Sequence, residues 1–519
     1  MTATVTAASA EATAPQHAGP APPARPSVRD RLVVPMPADR LQGWLATIAV
    51  ALIAGVWRLW HVNRPRGIIF DETYYTVDAR DLLQNGVEHN RGYLFTVHPP
   101  LGKWMIAFSE WIFGYQDANG ARHGSPELGW RVASVVAGTV AVLLLARTAR
   151  RMFRSTLLGC LAGLLLALDG LQFVLSRTGI LDIFLLAWIV AALACLVVDR
   201  DDGRRRLARR LEAEPDPGRG PGPWLLWRPW RLAAGACLGA ACATKWSGLY
   251  DIAAFLVLAY LWDVGARRTA GIRRPWLAAL RRDSPALGVG LIIAPIVVYT
   301  ASWTGWFLSP DGYDRHAKGS GIIGTLHSWI FYQSEQLNFH RHLTAGHPYK
   351  APPLSWPVLG RPISFYYQSV SYGQAGCKAH GGCASEVLAI GTPAIWWVGL
   401  AALAACLAIW IGRRDWRAGL VVIGYLFNWV PWLAQPGRTM FLFYALPMLP
   451  FLILGLTTVA QLVLGPREAS ERRRTAGGIA VGAYVLIVLA NFVFLYPILT
   501  AEVIPLSSWQ DRMWFPGWI

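Results

Sequence analysis

Two adjacent carboxylates, Asp71 and Glu72, follow the first long apolar segment of the chain by about ten residues. A carboxylate pair beside a membrane span can act as a general base, hold a metal ion or bind a cation. It can also be a solvated pair at a helix N-terminus, where the helix dipole favours negative charge. Residues 75–83 have the pattern of an amphipathic helix at the membrane interface. Spacing alone leaves these interpretations open.

A histidine and a lysine flank a pair of prolines in the next polar segment. His98 can form hydrogen bonds or transfer a proton, and Lys103 follows it by five residues. The alternative is a rigid Pro-Pro turn that the lysine anchors at the membrane surface. The apolar stretch that continues to Phe113 is too short to span a bilayer. We therefore expect it to lie along the interface.

Arginines occur where apolar segments begin. Arg131 and Arg438 lie at the same predicted level of the membrane, and a guanidinium group binds phosphate with two parallel hydrogen bonds. The alternative for each is an arginine that only extends its charge to the membrane surface. Arg177 and Lys245 are weaker candidates of the same kind.

A second polar segment is rich in aromatic, His and Pro residues. His347 and Tyr349 enclose Pro348, and Trp356 follows in Ser355-Trp356-Pro357. Such rigid aromatic surfaces can hold sugars or peptides, although aromatic residues also anchor proteins at the membrane interface. His340, His342 and His347 have no carboxylate or Cys at a matching spacing, and a structural zinc site needs four ligands. We therefore predict no metal site.

The elements that must position these residues are membrane helices. Of 519 residues, 54% are hydrophobic and only 15% are charged, and the mean hydropathy is +0.34. Soluble domains carry about 25% charged residues, so an ordinary soluble enzyme is excluded. The net charge of +17 comes from basic residues between apolar runs, which argues against a nucleic-acid partner. Eleven segments are long and apolar enough to predict spans: 42–61, 130–149, 155–172, 178–198, 229–246, 249–265, 285–305, 392–411, 418–434, 440–463 and 476–499.

The distribution of positive charge predicts the orientation of these spans. With the N-terminus inside, 30 of the 48 Lys and Arg residues fall in the short inner segments. The C-terminus is then outside, as an odd number of spans requires. Residues 1–40 are predicted to be a disordered cytoplasmic tail, 41–500 the membrane domain, and 501–519 an exterior tail. The exterior loops 62–129 and 306–391 are long enough to carry function.

Six motifs in order along residues 45–500 resemble the protein O-mannosyltransferases, in their bacterial, actinobacterial form. They are Phe70-Asp71-Glu72, His98-Pro99-Pro100-Leu101-Gly102-Lys103, Trp130-Arg131, Ser176-Arg177 with Leu181-Asp182, His347-Pro348-Tyr349 and Ser355-Trp356-Pro357. The resemblance implies an all-α polytopic protein with the type-C glycosyltransferase fold and its active site at the outer face of the cytoplasmic membrane. It implies inverting transfer of mannose from a polyprenyl phosphate mannose to Ser or Thr hydroxyls of secreted polypeptides.

The resemblance also implies roles for the candidate residues. Asp71 is expected to be the base, and Glu72 to orient the acceptor or support Asp71. Arg131 and Arg438 are expected to bind the lipid phosphate, so that no divalent metal or other cofactor is needed. The other expected partners are membrane lipid and the protein secretion channel. The remaining residues expected to bind substrate are His98, Lys103, Arg177, His347, Tyr349 and Trp356.

Two cysteines, Cys377 and Cys383, lie in the second predicted exterior loop. Disulfides persist in an oxidising compartment, and two glycines between them let the chain turn back. We therefore predict a bridge between them; the alternatives are two free thiols or a pair of metal ligands. Two alternatives remain for the whole chain: a glycosyltransferase of the same fold with a lipid or glycan acceptor, and a transporter or lipid flippase. The transporter predicts ionisable residues at the membrane midplane, whereas the acids here concentrate outside the spans.

Overall fold

A computed structural model describes residues 2–4, 27–89, 97–213, 220–466 and 468–519. Most of these residues are helical. The helices before the second long loop are α1 (Val28–Leu32), α2 (Arg40–Leu59), α3 (Glu72–Asn85), α4 (Leu101–Phe113), α5 (Pro126–Phe153), α6 (Thr156–Ala167), α7 (Gly170–Leu175), α8 (Asp182–Glu212), α9 (Pro229–Thr244), α10 (Gly248–Ala270), α11 (Pro275–Gly288) and α12 (Ala294–Ser302). The later helices are α13 (Thr304–Leu308), α14 (Gly321–His342), α15 (Pro393–Arg413), α16 (Trp416–Leu433), α17 (Leu449–Leu464), α18 (Glu471–Leu499) and α19 (Leu506–Gln510).

Eight helical segments of the described chain are long and apolar enough to cross a membrane. They include a continuous helix from α11 through a π-helical turn to α12, and α17 with the 3₁₀ turn Leu442–Met448 before it. The other three predicted spans correspond to α6, α9 and α16, which form helices but are too short or too polar to pass the same test. The protein is thus a multi-span membrane protein, and the count of eleven and the orientation stay predictions.

The packing separates central from peripheral spans. The α17 segment is 89% buried within the protein, whereas α18 is only 17% buried and presents its apolar side chains outward. Small residues let helices approach closely. At Gly235 of α9, a Cβ atom would lie 1.7 Å from the carbonyl oxygen of Gly290 in the π-helical turn, so a larger residue there would force the two helices apart.

Part of the predicted disordered tail is structured. Residues 5–26 lie outside the described part of the chain. From Ser27 onward the chain is structured, because Ser27 caps α1 and Leu32 packs against apolar residues of α8 and α10 at 2% exposure. The prediction of disorder through residue 40 is therefore wrong for residues 27–40.

Both long loops contain helices, as expected, but also small sheets that the sequence analysis missed. In the first loop, β1 (Gly114–Gln116) and β2 (Arg122–Gly124) form a hairpin after α4. In the second loop, β3 (Ile363–Val370) and β4 (Cys383–Ala389) pair antiparallel, and β5 (Ile504–Pro505) joins the edge of β4. The predicted bridge between Cys377 and Cys383 is present, with Cα atoms 5.8 Å apart, at the end of the β3–β4 hairpin.

Candidate active site

Asp71 lies at the end of the helical bundle where the two long loops meet. It is the N-cap residue of α3. Phe70 before it has a φ of 45°, which is uncommon for a residue with a large side chain. Its ring stacks on Phe365 of β3 at 4.5 Å and contacts the edges of Phe441 and Phe443. These aromatic contacts hold the backbone that positions Asp71.

The carboxylate of Asp71 is available for chemistry. It makes no hydrogen bond and no ion pair with any residue in the described ranges, and it is partly exposed. Although part of its surface is exposed, the surrounding protein removes most water from the Asp71 carboxylate, and this desolvation raises the pKa of Asp71 to about 7; Lys245 opposes this rise, and Asp182 adds to it. A carboxylate with a pKa near neutrality is suited to accept a proton in catalysis.

Glu72, by contrast, is a structural residue. It is fully buried and accepts hydrogen bonds from the backbone N–H groups of Ile69 and Gly179 at 3.0 and 2.9 Å. Arg131 donates to both of its carboxylate oxygens at 2.8 and 2.9 Å. With its carboxylate occupied in this way, Glu72 cannot orient an acceptor. Its effect on Asp71 is limited to fixing the first turn of α3.

The prediction that Arg131 binds the lipid phosphate is wrong. Its guanidinium is fully buried, and its remaining N–H groups donate to the carbonyl oxygens of Val62, Pro65 and Gly67 at 2.8–3.1 Å. All five donors of a guanidinium are then used within the protein. Arg131 instead connects the loop after α2 to Glu72 through these hydrogen bonds.

A lysine that the sequence analysis ranked as weaker acts electrostatically on Asp71 and lowers its pKa. Lys245 follows α9, and its ammonium donates to both oxygens of Asp182 at 2.8 and 3.0 Å. The same ammonium lies 4.4 Å from the centre of the Tyr444 ring. Lys245 is thus a buried cation whose charge is balanced by Asp182.

Arg438 also packs against the Tyr444 ring. Its guanidinium carbon is 5.3 Å from the centres of the Trp432 and Tyr444 rings, and its Nε donates to the carbonyl of His340 at 2.7 Å. Its Nη1 has no hydrogen-bond partner among the described residues, although it is buried. Arg438 forms no ion pair with any residue that the structure describes, so its positive charge is available to an anion.

Two histidines lie next to Arg438. The rings of His98 and His340 lie 4.9 Å apart, and His340 Nε2 contacts the carbonyl oxygen of Val97 at 2.9 Å. Burial lowers the pKa of His340 to about 4 and that of His98 well below its usual value, with nearby cations adding to both effects. Both imidazoles are therefore neutral at pH 7. His98 Nδ1 has no partner in the described residues and can bind a polar ligand.

Three other predicted binding residues are buried and hydrogen-bonded within the protein. Lys103 is buried and pairs with Glu88 at 2.5 Å and with Asp78 at 3.0 Å. Arg177 donates to the carbonyl oxygens of Arg58, Trp60 and His61 at the end of α2. Trp356 is fully buried and donates to the Ala351 carbonyl. All three side chains are buried and contact protein groups, so a role for them in binding substrate stays a prediction without support from the structure.

His347 and Tyr349 remain at the surface beside the site. The His347 ring packs edge-on against Phe441 at 4.9 Å, and its Nδ1 accepts a hydrogen bond from the Tyr349 N–H at 3.2 Å. Arg361 lies 5.3 Å from the Tyr349 ring. These two residues therefore extend the group of aromatic side chains that contact Phe70 toward solvent.

Sequence reasoning missed the roles of Asp182, Lys245, Tyr444 and His340. One signal was available for Lys245, because the chain has only five lysines and this one interrupts an Ala-rich apolar segment. Nothing local marks Tyr444 as the ring that two cations share. Among the residues that the structure describes, no group of three or more His, Cys, Asp or Glu side chains could hold a metal ion.

The pH dependence of activity tests the state of Asp71. A base with a pKa near 7 is protonated in acid, so we expect kcat/KM to fall about tenfold per pH unit below that value. Asp182→Asn removes a negative charge and leaves an oxygen for Lys245, so the pKa of Asp71 should fall. The acid limb of the pH–rate profile should then move to lower pH. A limb that stays in place or moves upward would contradict this electrostatic coupling.

Comparison with known proteins identifies the fold. The structure superposes on the yeast protein O-mannosyltransferase Pmt1–Pmt2 complex bound to the sugar donor with a TM-score of 0.73, covering 94% of this chain and 95% of that chain at 14% sequence identity. The chain therefore has the type-C glycosyltransferase fold, as the sequence analysis predicted.

The sequence comparisons identify the family. Residues 48–304 match the dolichyl-phosphate-mannose-protein mannosyltransferase family, and residues 325–518 match the C-terminal four-transmembrane region of protein O-mannosyltransferases. The polyprenol-phosphate-mannose–protein mannosyltransferase of Mycobacterium tuberculosis is 40% identical over 96% of this chain and 97% of its own length. The enzyme of the same name from Corynebacterium glutamicum is 33% identical over 92% of this chain and 93% of its length. The chain belongs to the protein O-mannosyltransferase family.

Proposed function

We propose that this enzyme transfers mannose from polyprenyl phosphate mannose to Ser or Thr hydroxyls of secreted polypeptides, with inversion at the sugar. Mannose transfer to proteins follows from membership of the family and from its relatives. The observation that supports this mechanism is the placement of Asp71, which is unpaired among the described residues and has a pKa near 7, within the electrostatic reach of buried Lys245. The Tyr444 ring beside Lys245 also contacts the buried guanidinium of Arg438.

The reaction is a single displacement at C1 of mannose. Asp71 accepts the proton of the acceptor hydroxyl as its oxygen forms a bond to C1. The bond between C1 and the phosphate oxygen breaks, and its electron pair leaves with the polyprenyl phosphate. The phosphate gains one negative charge in this step, so a preorganised cation beside it lowers the barrier. Only one base is needed, in keeping with inversion.

Arg438 is the better candidate for the phosphate contact. The charge of Lys245 is balanced by Asp182, whereas the Nη1 of Arg438 has no partner in the described chain. Neutral His98 and His340 next to it do not compete for the anion. Lys245 then serves mainly to hold Asp182 and to limit the rise of the Asp71 pKa.

Substitution of Arg438 tests this assignment. Arg438→Ala should lower kcat/KM for the lipid donor by about 10²–10³-fold, the usual loss for one charge-stabilising donor, while KM for the peptide stays unchanged. Arg438→Lys should restore little, because lysine cannot form the two parallel contacts. Exposed Arg341→Ala is the matched control and should behave as wild type. An effect confined to peptide KM would reassign Arg438 to the acceptor.

We also propose that the reaction needs no divalent metal, because arginine carries the phosphate charge. Treatment with EDTA should leave most activity intact. Loss of activity with EDTA and recovery with Mn²⁺ or Mg²⁺ would contradict this, and would make Asp71 a candidate ligand.

The location of the site follows from the donor. A polyprenyl tail stays in the bilayer, so its phosphate can meet Asp71 only at the membrane surface. The distribution of Lys and Arg residues supports a site at the outer face of the cytoplasmic membrane. Polypeptides leave the secretion channel at that face, and the enzyme would meet them there in extended form.

A peptide assay tests the function. Membranes that contain the enzyme are incubated with labelled polyprenyl phosphomannose and a Ser/Thr-rich peptide. We expect an α-linked mannosyl peptide, identified by its cleavage by α-mannosidase. Label that appears in lipid or glycan while the peptide stays unlabelled would instead support a glycosyltransferase with another acceptor.

A further inference from the structure

Tyr75 is a tyrosine of the candidate active site that the proposed mechanism does not use. It lies one helical turn after Asp71, and its backbone N–H donates to the Asp71 carbonyl oxygen at 3.3 Å. Asp71 is the N-cap residue of α3 and has helical backbone dihedral angles. Side chains four residues apart lie on the same face of a helix. Tyr75 and Asp71 therefore project from α3 toward the same space.

The ring of Tyr75 is packed, whereas its hydroxyl is free. The residue is only 8% exposed, and the centre of its ring lies 6.1 Å from that of the His98 ring. No residue that the structure describes forms a hydrogen bond with the hydroxyl, and this oxygen is not one of the unpaired polar atoms that the protein closes off from solvent. Polar groups inside a protein are normally hydrogen-bonded. The Tyr75 hydroxyl therefore reaches solvent within the site and can bind a ligand there.

The electrostatic neighbours of this hydroxyl belong to both halves of the candidate site. Burial raises the pKa of Tyr75 well above its usual value, and the charge of Asp71 and the nearby Tyr444 hydroxyl add to this rise. Tyr444 in turn packs against the Arg438 guanidinium, at 5.3 Å from its ring centre. The Tyr75 hydroxyl thus lies on the side of α3 where the proposed base and the proposed phosphate contact meet. With a raised pKa it stays neutral at pH 7 and does not repel a phosphate.

The geometry of the proposed displacement identifies what occupies this space. The acceptor oxygen approaches C1 from the side of Asp71, and the phosphate leaves on the opposite side toward Arg438. The mannose ring must then lie between these two residues, where its hydroxyl groups are close to Tyr75. A phenol both donates and accepts a hydrogen bond, and so does a sugar hydroxyl. The chemistry of the Tyr75 hydroxyl therefore matches the uncharged part of the donor.

We propose that the hydroxyl of Tyr75 forms a hydrogen bond with a hydroxyl group of the donor's mannose and thereby contributes to the selection of this sugar. The identity of the sugar rests on the proposed function. The contact is distinct from the phosphate contact of Arg438 and from the proton transfer to Asp71. A site that hydrogen-bonds a substrate hydroxyl discriminates against analogues that lack it. Tyr75 is then a residue that determines donor specificity.

Donor binding without an acceptor tests the contact directly. Tyr75→Phe removes the hydroxyl and keeps the ring, and Tyr74→Phe, at the exposed neighbouring residue, is the matched control. The Kd values of polyprenyl phosphomannose and of polyprenyl phosphate are measured on the purified full-length enzyme. Tyr75→Phe should weaken binding of the mannosyl lipid about tenfold, the loss of one hydrogen bond, and should bind polyprenyl phosphate as wild type does. The control should bind both lipids as wild type. Equal effects on both lipids, or no effect on either, would overturn the proposal.

Donors with a deoxy sugar identify the hydroxyl group that Tyr75 contacts. Four polyprenyl phosphates carry mannose that lacks the hydroxyl at C2, C3, C4 or C6. Wild type should use one of them about tenfold less well than the mannosyl donor in kcat/KM, and Tyr75→Phe should lose this penalty because the hydrogen bond is already absent. If Tyr75 only oriented Asp71, the variant would lose the same factor with every donor, and the acid limb of its pH–rate profile would move. That result would contradict the proposal.

The binding experiment separates this inference from the proposed function. Wild type that binds the mannosyl lipid but transfers no mannose to peptide would contradict the proposed acceptor, and the two Kd values would still decide the role of Tyr75. Normal peptide transfer with unchanged donor binding in Tyr75→Phe would overturn the inference alone. Because the hydroxyl has no partner among the described residues, Tyr75→Phe should keep the melting temperature of wild type. A large drop would assign the hydroxyl to the fold and count against a sugar contact.

Discussion

Asp71→Asn should reduce mannose transfer by at least about 10³-fold while the protein stays folded in the membrane. The expected loss is large because the variant keeps the shape of the side chain but has no group that can take the acceptor proton. In the structure the carboxylate has no protein partner within the described residues, so no contact of the fold is lost with it. Transfer rates at saturating donor and peptide, with the melting temperature measured on the same preparation, give both quantities.

The matched control for Asp71→Asn is Asp311→Asn. Asp311 is exposed in the second long loop, so the same chemical change there should leave transfer at the wild-type rate. Near-normal turnover of Asp71→Asn would remove Asp71 from the role of base. A drop in its melting temperature comparable to the loss of activity would assign the residue to the fold.

Arg131→Ala should destabilise the protein by about 3–5 kcal/mol, because it leaves the buried carboxylate of Glu72 without its counterion. Three carbonyl oxygens of the loop after α2 lose their donors as well. Arg131→Lys should also be destabilised, since an ammonium cannot reproduce five N–H groups in a plane. The measurement is the melting temperature in detergent and the yield of folded protein.

The kinetics of the surviving Arg131→Ala protein give a second test. Per folded molecule, KM for the lipid donor should stay close to that of wild type, because the guanidinium does not reach the substrate. A stable Arg131→Ala enzyme with a raised donor KM would restore the phosphate role that the sequence suggested. Exposed Arg341→Ala again serves as control for the loss of one positive charge.

The sequence was sufficient to predict the family, the helical membrane fold and the position of Asp71. It was sufficient because apolar segments and a short motif after the first span are local features. For Glu72 the structure favours the predicted support of Asp71 over a contact with the acceptor. The same reasoning failed for Arg131. Residue type and predicted depth suggested a phosphate contact for Arg131. Its buried ion pair with Glu72 joins residues 59 positions apart in the chain, so the spacing of the motif could not show it.

The site was only partly predictable for a similar reason. Arg438 could be selected from its place before a span, but the availability of its charge depends on His340 and Tyr444, which come from other segments. Lys245 could not be distinguished from a surface anchor without Asp182 opposite it. The β3–β4–β5 sheet was missed because β5 is two residues long and forms only by pairing with β4.

The aromatic contact behind Asp71 has a consequence for biogenesis. Phe70 is held by Phe365 of β3, and the sheet that carries Phe365 is completed by β5 near residue 505. β5 leaves the ribosome about 430 residues after Asp71, which at 5–20 residues per second is roughly 20 to 90 s later. Phe365 itself follows Asp71 by about 290 residues, so its contact with Phe70 can form before β5 completes the sheet. The sheet that supports Phe70, and through it Asp71, is therefore complete only when the last residues of the chain have been made.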